Sequence, residues 1–293
     1  MISLAPAPAL QAFVRQLWYS TSAPQPQLAR EHVLPNGQMH LVFRLSGPPL
    51  TLFDDRDGRS VIREPVVGGP RSSFYVKESG AAVTSVGVLL LPGAAQALFG
   101  VSAAELAGRH TPLSELWGAA GRSALDQIAQ AGNPQAQLAA LEALLAARLP
   151  RIQAMHPAVA QLLAQAGPLA RIDTLVRESR YSHRGFIALF RQATGMSPKR
   201  YARLMRFRAL LAALRAAPAT PLGMLALDAG YSDQAHMTRE FREFTGVTPL
   251  HYVRLDPRDA NHVRLAQVKF VQDGAFAAPY SEVSLTSGAC HDP

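Results

Sequence analysis

Two short helices predicted in the last third of the chain carry side chains suited to contacting a nucleic acid. On a helical wheel, each helix has an apolar face and an outward face of arginine, amide and small side chains. A guanidinium or amide group can bond a phosphate or a base edge, and small residues allow close approach. The outward residues are Arg184, Ile187, Ala188 and Arg191 on the first helix and Gln234, Ala235, Thr238, Arg239 and Arg242 on the second.

Both helices lie within an internal repeat. The stretch 190–198, Phe-Arg-Gln-Ala-Thr-Gly-Met-Ser-Pro, recurs 51 positions later as Phe-Arg-Glu-Phe-Thr-Gly-Val-Thr-Pro at 241–249. The Tyr-Ser pair at 181–182 is matched 50 positions later by the pair at 231–232. One unit of secondary structure has therefore been used twice, and both copies are expected to share a local fold.

Each copy is predicted to fold as two helices joined by a tight turn. The first helix covers 172–179 in one copy and 222–229 in the other. The second helix begins at a serine N-cap and ends at a left-handed glycine, after which a proline prevents continuation. These residues are Ser182 and Gly195 in the first copy and Ser232 and Gly246 in the second. Such a unit places its second helix in a DNA major groove.

A basic helix is predicted between the copies, over 198–215. Its cationic residues are Lys199, Arg200, Arg203, Arg206, Arg208 and Arg215. At roughly 1.5 Å per residue it spans about 27 Å, whereas successive major-groove faces lie about 34 Å apart. A rod of this length could hold both second helices against neighbouring grooves of bent DNA, so that one chain contacts two sites.

Residues 172–254 resemble the C-terminal DNA-binding domain of the AraC/XylS family of transcription regulators. The most diagnostic residues are Ala226, Gly230-Tyr231-Ser232-Asp233-Gln234, Phe241-Arg242, Thr245-Gly246-Val247-Thr248-Pro249 and Tyr252-Val253-Arg254. The resemblance implies that the protein binds double-stranded DNA and regulates transcription. The base contacts it implies are Arg184, Ile187 and Ala188 in the first copy and Gln234, Ala235, Thr238 and Arg239 in the second.

The first copy departs from the family pattern. Val176 stands where a small residue is usual, and Arg180 stands where the turn usually has glycine. A side chain in a left-handed turn costs about 1 kcal/mol, so we expect this unit to turn differently or to be less rigid. Ile187 and Ala188 offer only apolar contact, which suits a thymine methyl group. Sequence discrimination is therefore expected to rest more on the second copy.

Charge and composition agree with a nucleic-acid partner. The 293 residues carry a net charge of +8, distributed as +1 in 1–150, +9 in 151–255 and −2 in 256–293. Apolar residues make up 48% and charged residues 17%, so ordinary cores can form and wholesale disorder is not expected. No apolar stretch is long enough to span a bilayer, and no secretory signal is found, so a cytoplasmic protein is expected. The single cysteine, Cys290, excludes an internal disulfide.

The expected fold class is α+β, with a β-rich N-terminal part and an all-α C-terminal part that contains the two helix-turn-helix units. Runs such as 40–45 and 83–91, cut by glycine and proline, predict an antiparallel sandwich or small cupin-like barrel. Trailing helices follow Pro92. The last begins after the N-cap Asn133, and its leucine stripe favours packing within its own domain. The expected domains are 1–150, a sensor or regulatory domain; 151–255, the DNA-binding domain; and 256–293, an extension forming an accessory strand or a loose tail.

The stretch 86–118 resembles, more loosely, a sensor-type domain found ahead of AraC-type DNA-binding domains. This likeness implies a small-molecule effector or a homodimer. His32 and His40 are eight positions apart, and no close pair of histidines is followed by a carboxylate, so we expect structural or exposed histidines and no metal site. Four aromatic side chains could line a pocket, although core packing is the simpler explanation. They are Trp18, Phe43, Phe74 and Trp117.

Neither enzyme activity nor a cofactor is expected. The sequence contains no Gly-rich phosphate loop, nucleophile elbow or paired-carboxylate motif, and Cys290 lacks the basic neighbours that activate a thiol. The predicted function is sequence-specific regulation of transcription, by activation or repression. RNA polymerase, an effector and a second copy are candidate partners besides DNA. Two alternatives stay open: an effector-binding or catalytic protein whose basic helices only dock on nucleic acid, and a nonspecific nucleoid-type binder.

Overall fold

Two antiparallel sheets dominate the N-terminal part of the protein. The computed structural model describes residues 1–54, 58–149, 159–160, 163, 181–257 and 259–265. Among these residues, one sheet has six strands in the order β1 (Ile2–Leu4), β2 (Val14–Ser22), β9 (Val83–Leu90), β4 (Met39–Ser46), β7 (Val66–Gly68) and β10 (His110–Pro112). The other has five described strands in the order β11 (His262–Leu265), β3 (Ala29–Val33), β8 (Tyr75–Ser79), β5 (Leu50–Phe53) and β6 (Arg59–Ile62). The expected α+β class is confirmed.

The six-stranded sheet has one face in a hydrophobic core and the other on a cavity, because successive side chains of a strand point to opposite sides. On β2, Leu17 is fully buried in the core, whereas Trp18 lines the cavity. On β4, Leu41 and Phe43 are buried in the same core, whereas His40 lines the cavity. The cavity is therefore separated from the core by the thickness of one sheet.

Short helices cover the core face of this sheet. They are α1 (Ala94–Phe99), α2 (Ala103–Leu106), α3 (Leu113–Trp117), α4 (Ala119–Ala129) and α5 (Pro134–Ala146). As predicted, Asn133 is the N-cap of α5, and its side chain accepts a hydrogen bond from Ala136 N at 2.9 Å. The leucine stripe of α5 is buried in the core that it shares with β2 and β4. Its buried members are Leu138, Leu141 and Leu145.

The described C-terminal residues are largely helical. The helices are α6 (His183–Thr194), α7 (Pro198–Ala216), α8 (Leu222–Asp228), α9 (Gln234–Thr245) and α10 (Pro249–Leu255). The basic helix predicted over 198–215 is α7, and the one predicted over 222–229 is α8. The helix predicted over 172–179, with Val176 and Arg180, lies outside the described residues. None of the helices in the described part is both long and apolar enough to cross a membrane.

A strand from the C-terminal extension joins the five-stranded sheet. β11 pairs antiparallel with β3, with Val263 opposite His32. Val263 is fully buried in the core cluster of the helical part, which also includes Leu34 from the N-terminal part. Leu34 N donates a hydrogen bond to Asn261 O at 2.7 Å. The extension therefore joins the core of the helices to the edge of an N-terminal sheet.

We expect Val263→Ala to lower the free energy of unfolding by about 2 kcal/mol, because the loss of two methyl groups leaves a cavity at this junction. Val61 on β6 is 43% exposed, and Val61→Ala is the matched control, expected to cost about 0.5 kcal/mol or less. Urea unfolding followed by circular dichroism measures both variants. Equal losses would contradict a packing role for β11.

Candidate nucleic-acid interface

The second helices of the two copies are α6 and α9, which we call the reading helices. They begin at side-chain N-caps that differ between the copies. As predicted, Ser182 caps α6, and its Oγ accepts a hydrogen bond from Gly185 N at 3.1 Å. The expected cap of α9, Ser232, is wrong, because Asp233 Oδ1 accepts from His236 N at 2.7 Å. Tyr181 directly precedes the N-cap of α6, whereas one residue separates Tyr231 from the N-cap of α9. The change of repeat offset from 50 to 51 reflects this insertion.

All nine predicted contact residues lie on the outward faces of the reading helices. Arg184, Ala188, Arg191, Gln234, Ala235, Arg239 and Arg242 are exposed, and Ile187 and Thr238 are half-buried. The Thr238 hydroxyl donates to Gln234 O at 2.8 Å, so it presents its lone pairs and its methyl group to a ligand. The opposite faces are anchored by fully buried side chains, namely Phe186, Phe190, Met237 and Phe241.

The repeated Thr-Gly-x-Ser/Thr-Pro segment holds the C-terminal end of each reading helix. The threonine hydroxyls lie close to carbonyls of the preceding turn: Thr194 Oγ1 is 2.8 Å from Phe190 O, and Thr245 Oγ1 is 2.7 Å from Phe241 O. Gly195 and Gly246 follow in the predicted left-handed conformation, with φ of 77° and 76°. Ser197 and Thr248 then cap α7 and α10. In both copies, the repeated segment therefore ends the reading helix and caps the helix that follows.

A buried carboxylate fixes α9 against α7. Glu240 is 4% exposed, and its Oε2 accepts hydrogen bonds from Arg203 at 2.7 Å and from Arg206 at 2.9 Å, both on α7. Burial alone would raise the pKa of this carboxyl, but the two guanidinium groups outweigh it and hold the pKa below its usual value. Arg206 also packs over the Tyr231 ring, 4.6 Å from its centroid. Because Glu240 follows Arg239 on the helix, these contacts set the direction of the outward face.

Sequence reasoning missed the role of Glu240. The corresponding residue of the first copy, 51 positions earlier, is the half-buried Leu189. A glutamate where its repeat partner is apolar was the available signal, because buried carboxylates are rare unless they are paired. The pairing also engages Arg203 and Arg206 inside the protein, whereas Lys199 and Arg200 are exposed.

The N-terminal part contacts the end of the first reading helix. Gly93 N donates a hydrogen bond to Ala193 O at 3.0 Å. A Cβ added to Gly195 would lie 2.2 Å from Pro70 Cγ and 2.9 Å from Ala103 O. The backbone of the helix end is therefore packed against the N-terminal part too closely for any side chain at Gly195.

The end of the second reading helix is held in the same way. His32 Nδ1 donates to Thr245 O at 2.9 Å, and the His32 ring stacks on Phe74 with centroids 4.2 Å apart. Burial lowers the pKa of His32, although the bond to Thr245 O opposes this effect. A Cβ on Gly246 would lie 2.8 Å from Phe74 Cζ. Both reading helices thus end on the N-terminal part.

The aromatic residues considered for a pocket separate into two groups. Phe43 and Trp117 are buried in the core, whereas Trp18 lines the cavity between the sheets. Phe74 is taken up by the contact with His32 and Gly246. No cluster of three His, Cys, Asp or Glu side chains suited to a metal ion occurs in the part of the chain that the structure describes.

Comparisons with known proteins match the two halves separately. Residues 175–255 match a family described as a helix-turn-helix domain, and residues 2–112 match a domain of unknown function, DUF6597. ToxT from Vibrio cholerae O395 is 10% identical over 80% of this chain and 97% of its own, with a TM-score of 0.42. Unsaturated fatty acid bound wild-type ToxT from Vibrio cholerae strain SCE256 is 12% identical over 81% of this chain and 94% of its own, also with a TM-score of 0.42. No curated protein matches the sequence.

The helix-turn-helix match contains both reading helices and α7, which joins them. The C-terminal part is therefore an AraC-type helix-turn-helix domain, as its residues predicted. Through this domain, the protein is a DNA-binding transcription regulator.

We expect Glu240→Gln to cost about 3 kcal/mol at neutral pH, because two half-buried guanidinium groups lose their carboxylate. The pKa of Glu240 is lower in the folded than in the unfolded protein, so its stabilisation is complete above the ordinary value of 4.5 and is lost as the pH falls through the folded value. The stabilities of wild type and variant should therefore converge in acid.

Urea unfolding at neutral and acidic pH measures this difference. Glu243→Gln is the matched control, since Glu243 pairs with Arg203 but its side chain is 47% exposed. We expect this control to cost about 1 kcal/mol or less. A Glu240→Gln loss that stays constant with pH would contradict the assigned role.

Proposed function

We propose that this regulator binds one stretch of double-stranded DNA with both reading helices at once. The observation that carries the proposal is that both helices are anchored by buried phenylalanines while all nine predicted contact residues remain at or near solvent. Helix N-termini with small and hydrogen-bonding side chains are suited to the major groove. The linking helix α7, 19 residues long, is a rigid element between the two units.

The two units contribute differently under this proposal. Gln234 and Arg239 can make bidentate hydrogen bonds to base edges, whereas Ile187 and Ala188 offer only apolar surface. Arg191 and Arg242, exposed in the last turn of each reading helix, are assigned to phosphate contacts. The second unit then carries more of the sequence discrimination, and Arg184 supplies most of what the first unit reads by hydrogen bonding.

The N-terminal part is the proposed regulatory element. Its contacts with the ends of both reading helices support this role, since a change there would reach both units. A small-molecule effector or a second copy of the chain is the proposed input, and RNA polymerase is the proposed partner at the promoter. We place the protein in the cytoplasm, with access to the DNA that it regulates, and assign it no catalysis.

Arg239→Ala tests the assignment of base contacts. We expect a loss of about 2 kcal/mol, roughly thirtyfold in Kd, together with relaxed preference at the base pairs that Arg239 reads. Arg242→Ala, one turn away on the same helix, is the matched control and should weaken all sequences alike. Selection of binding sites from random DNA, followed by gel shifts, measures both effects.

The same selection tests the division between the units. Arg184→Ala should change the preferred sequence less than Arg239→Ala does. A larger change with Arg184→Ala would contradict the greater role of the second unit. Binding of wild-type protein without any preference at moderate salt would instead favour nonspecific docking.

Substitutions of Lys199 and Arg200 test the electrostatic contribution to DNA affinity. Each phosphate contact contributes about 0.9 to the slope of log affinity against log salt, so Lys199→Ala and Arg200→Ala should each reduce the steepness by about that amount without changing the preferred sequence. Arg122→Ala, an exposed arginine on α4, removes the same charge from the N-terminal part and should leave the slope unchanged. Salt titrations of an operator obtained by selection supply the measurement.

A further inference from the structure

The second reading helix carries one more polar side chain at its N-terminal end, besides the predicted contact residues. His236 is the third residue of α9, two positions after Gln234 and three before Arg239. It is half-buried, whereas Gln234, Ala235 and Arg239 are exposed. The first three residues of a helix surround its tip, because successive residues are about 100° apart around the axis. A helix that enters the major groove with its N-terminus therefore brings all three side chains near the bases.

The imidazole ring of His236 is held by two neighbours. Its Nδ1 lies 3.1 Å from Ser232 Oγ, and its ring meets the Tyr231 ring edge to face, with centroids 5.3 Å apart and 85° between the planes. Tyr231 is 3% exposed and has Arg206 over its ring, 4.6 Å from the centroid. Arg206 in turn pairs with Glu240. The His236 ring is therefore attached to the same ion-paired network that orients α9.

Ser232 has one hydroxyl hydrogen and two neighbours that could receive it, Asp233 and His236. Asp233 Oδ1 accepts from His236 N at 2.7 Å, and Asp233 Oδ2 lies 2.9 Å from Ser232 Oγ. The bond from His236 N, followed by the bond from Ser232, lowers the pKa of Asp233, so the carboxylate is ionised and can only accept. Two oxygens at this separation are hydrogen-bonded. The hydroxyl hydrogen of Ser232 therefore points to Asp233.

The direction of this hydroxyl determines the tautomer of His236. With its hydrogen on the Asp233 side, Ser232 Oγ offers only lone pairs to the ring, so His236 Nδ1 donates. A neutral imidazole that donates at Nδ1 has a lone pair on Nε2. Nε2 makes no hydrogen bond within the described residues and is not buried. The first turn of α9 thus presents a hydrogen-bond acceptor to solvent, in a ring whose orientation is already fixed.

An acceptor in the major groove distinguishes two bases from the other two. Adenine and cytosine present amino groups there, N6–H₂ and N4–H₂, whereas guanine and thymine present the acceptors O6 and O4. The lone pair on His236 Nε2 can bind an amino group and is repelled by a carbonyl oxygen. A fixed ring also loses little conformational entropy on binding, unlike the flexible side chains of Gln234 and Arg239.

We propose that His236 contacts one base of the bound DNA through Nε2 and selects adenine or cytosine at that position. Ser232 and Asp233 are positioning residues, which set the tautomer of the ring. The first copy has Gly185 at the equivalent position, 51 residues earlier and also third in its helix, so this contact is specific to the second unit. The inference rests on the proposed entry of α9 into the major groove.

Selection of binding sites from random DNA tests the base contact, at a mildly alkaline pH where histidine is ordinarily neutral. At one position of one strand, wild type should prefer adenine or cytosine over guanine and thymine by about tenfold. His236→Ala should lose this preference while other positions keep theirs. His251→Ala is the matched control, because His251 is the exposed third residue of α10 and should leave every base preference unchanged.

Two results of this selection would overturn the contact. A His236→Ala variant that weakens all sequences alike, or that changes nothing, would show that the ring reads no base. If the position affected by His236→Ala prefers guanine or thymine in wild type, Nε2 donates and the assigned acceptor is wrong.

Asp233→Asn tests the tautomer without removing the cap, since asparagine is as good an N-cap as aspartate. Its Oδ1 keeps the bond from His236 N, and its NH₂ group donates to Ser232 Oγ. The serine hydrogen can then point to His236 Nδ1, which leaves the ring hydrogen on Nε2. We expect the preferred bases at this position to change to guanine or thymine.

Substitutions of Ser232 complete the test of the tautomer. Ser232→Ala leaves both tautomers of His236 available and should largely remove the discrimination between amino and carbonyl bases. Ser232→Thr keeps the hydroxyl and should retain it. An unchanged wild-type preference in both Asp233→Asn and Ser232→Ala would contradict the assigned positioning role.

Arg239→Ala in the same selection separates this inference from the proposed function. If the preferred sequence depends on Arg239 but not on His236, the major-groove contact of α9 stands and only the His236 assignment is overturned. If wild type shows no preferred sequence at all, the proposed function fails, and the His236 contact fails with it.

Discussion

The arrangement of this protein depends on two glycines whose backbone touches another part of the chain. Gly195 and Gly246 end the reading helices in a left-handed conformation and pack against Pro70 and Phe74 at distances that leave no room for a Cβ. A residue with a side chain would incur strain of about 1 kcal/mol from the dihedral angle alone, before any clash. Each glycine therefore ends a helix and joins that helix to the N-terminal part.

The orientation of the second reading helix is fixed by ion pairs as well as by apolar packing. Glu240, with Arg203 and Arg206, attaches α9 to the linking helix, and a hydrogen-bonded pair tolerates less rotation than a contact between methyl groups. The first unit has Leu189 at the equivalent position. The reading helices of the two copies thus end in the same way, but different interactions fix their orientation. This difference agrees with the proposal that the two units contribute differently to DNA recognition.

Neighbouring residues of the N-terminal strands face three different environments: the hydrophobic core, the cavity and the helical part. On β4, Leu41 lies in the core and His40 faces the cavity. The same alternation occurs at 74–75, where Phe74 contacts the helical part and Tyr75 faces the cavity. Because neighbouring residues of an extended segment point to opposite sides, a ligand contact and a helix contact can lie one peptide bond apart. The cavity and the DNA-binding part of the chain are therefore separated by a short physical path.

Local patterns in the sequence determined the reading helices, their glycine ends, the N-cap Asn133 and the strand runs of the first hundred residues, because these depend on neighbours in the chain. The second N-cap was misassigned to Ser232, since a one-residue insertion in a turn shifts a cap without altering the helix that follows. The pairing of Glu240, the contacts of each helix end with the N-terminal part and the strand β11 were decided by tertiary structure. Each joins residues far apart in the chain, and no local periodicity records which distant groups will meet.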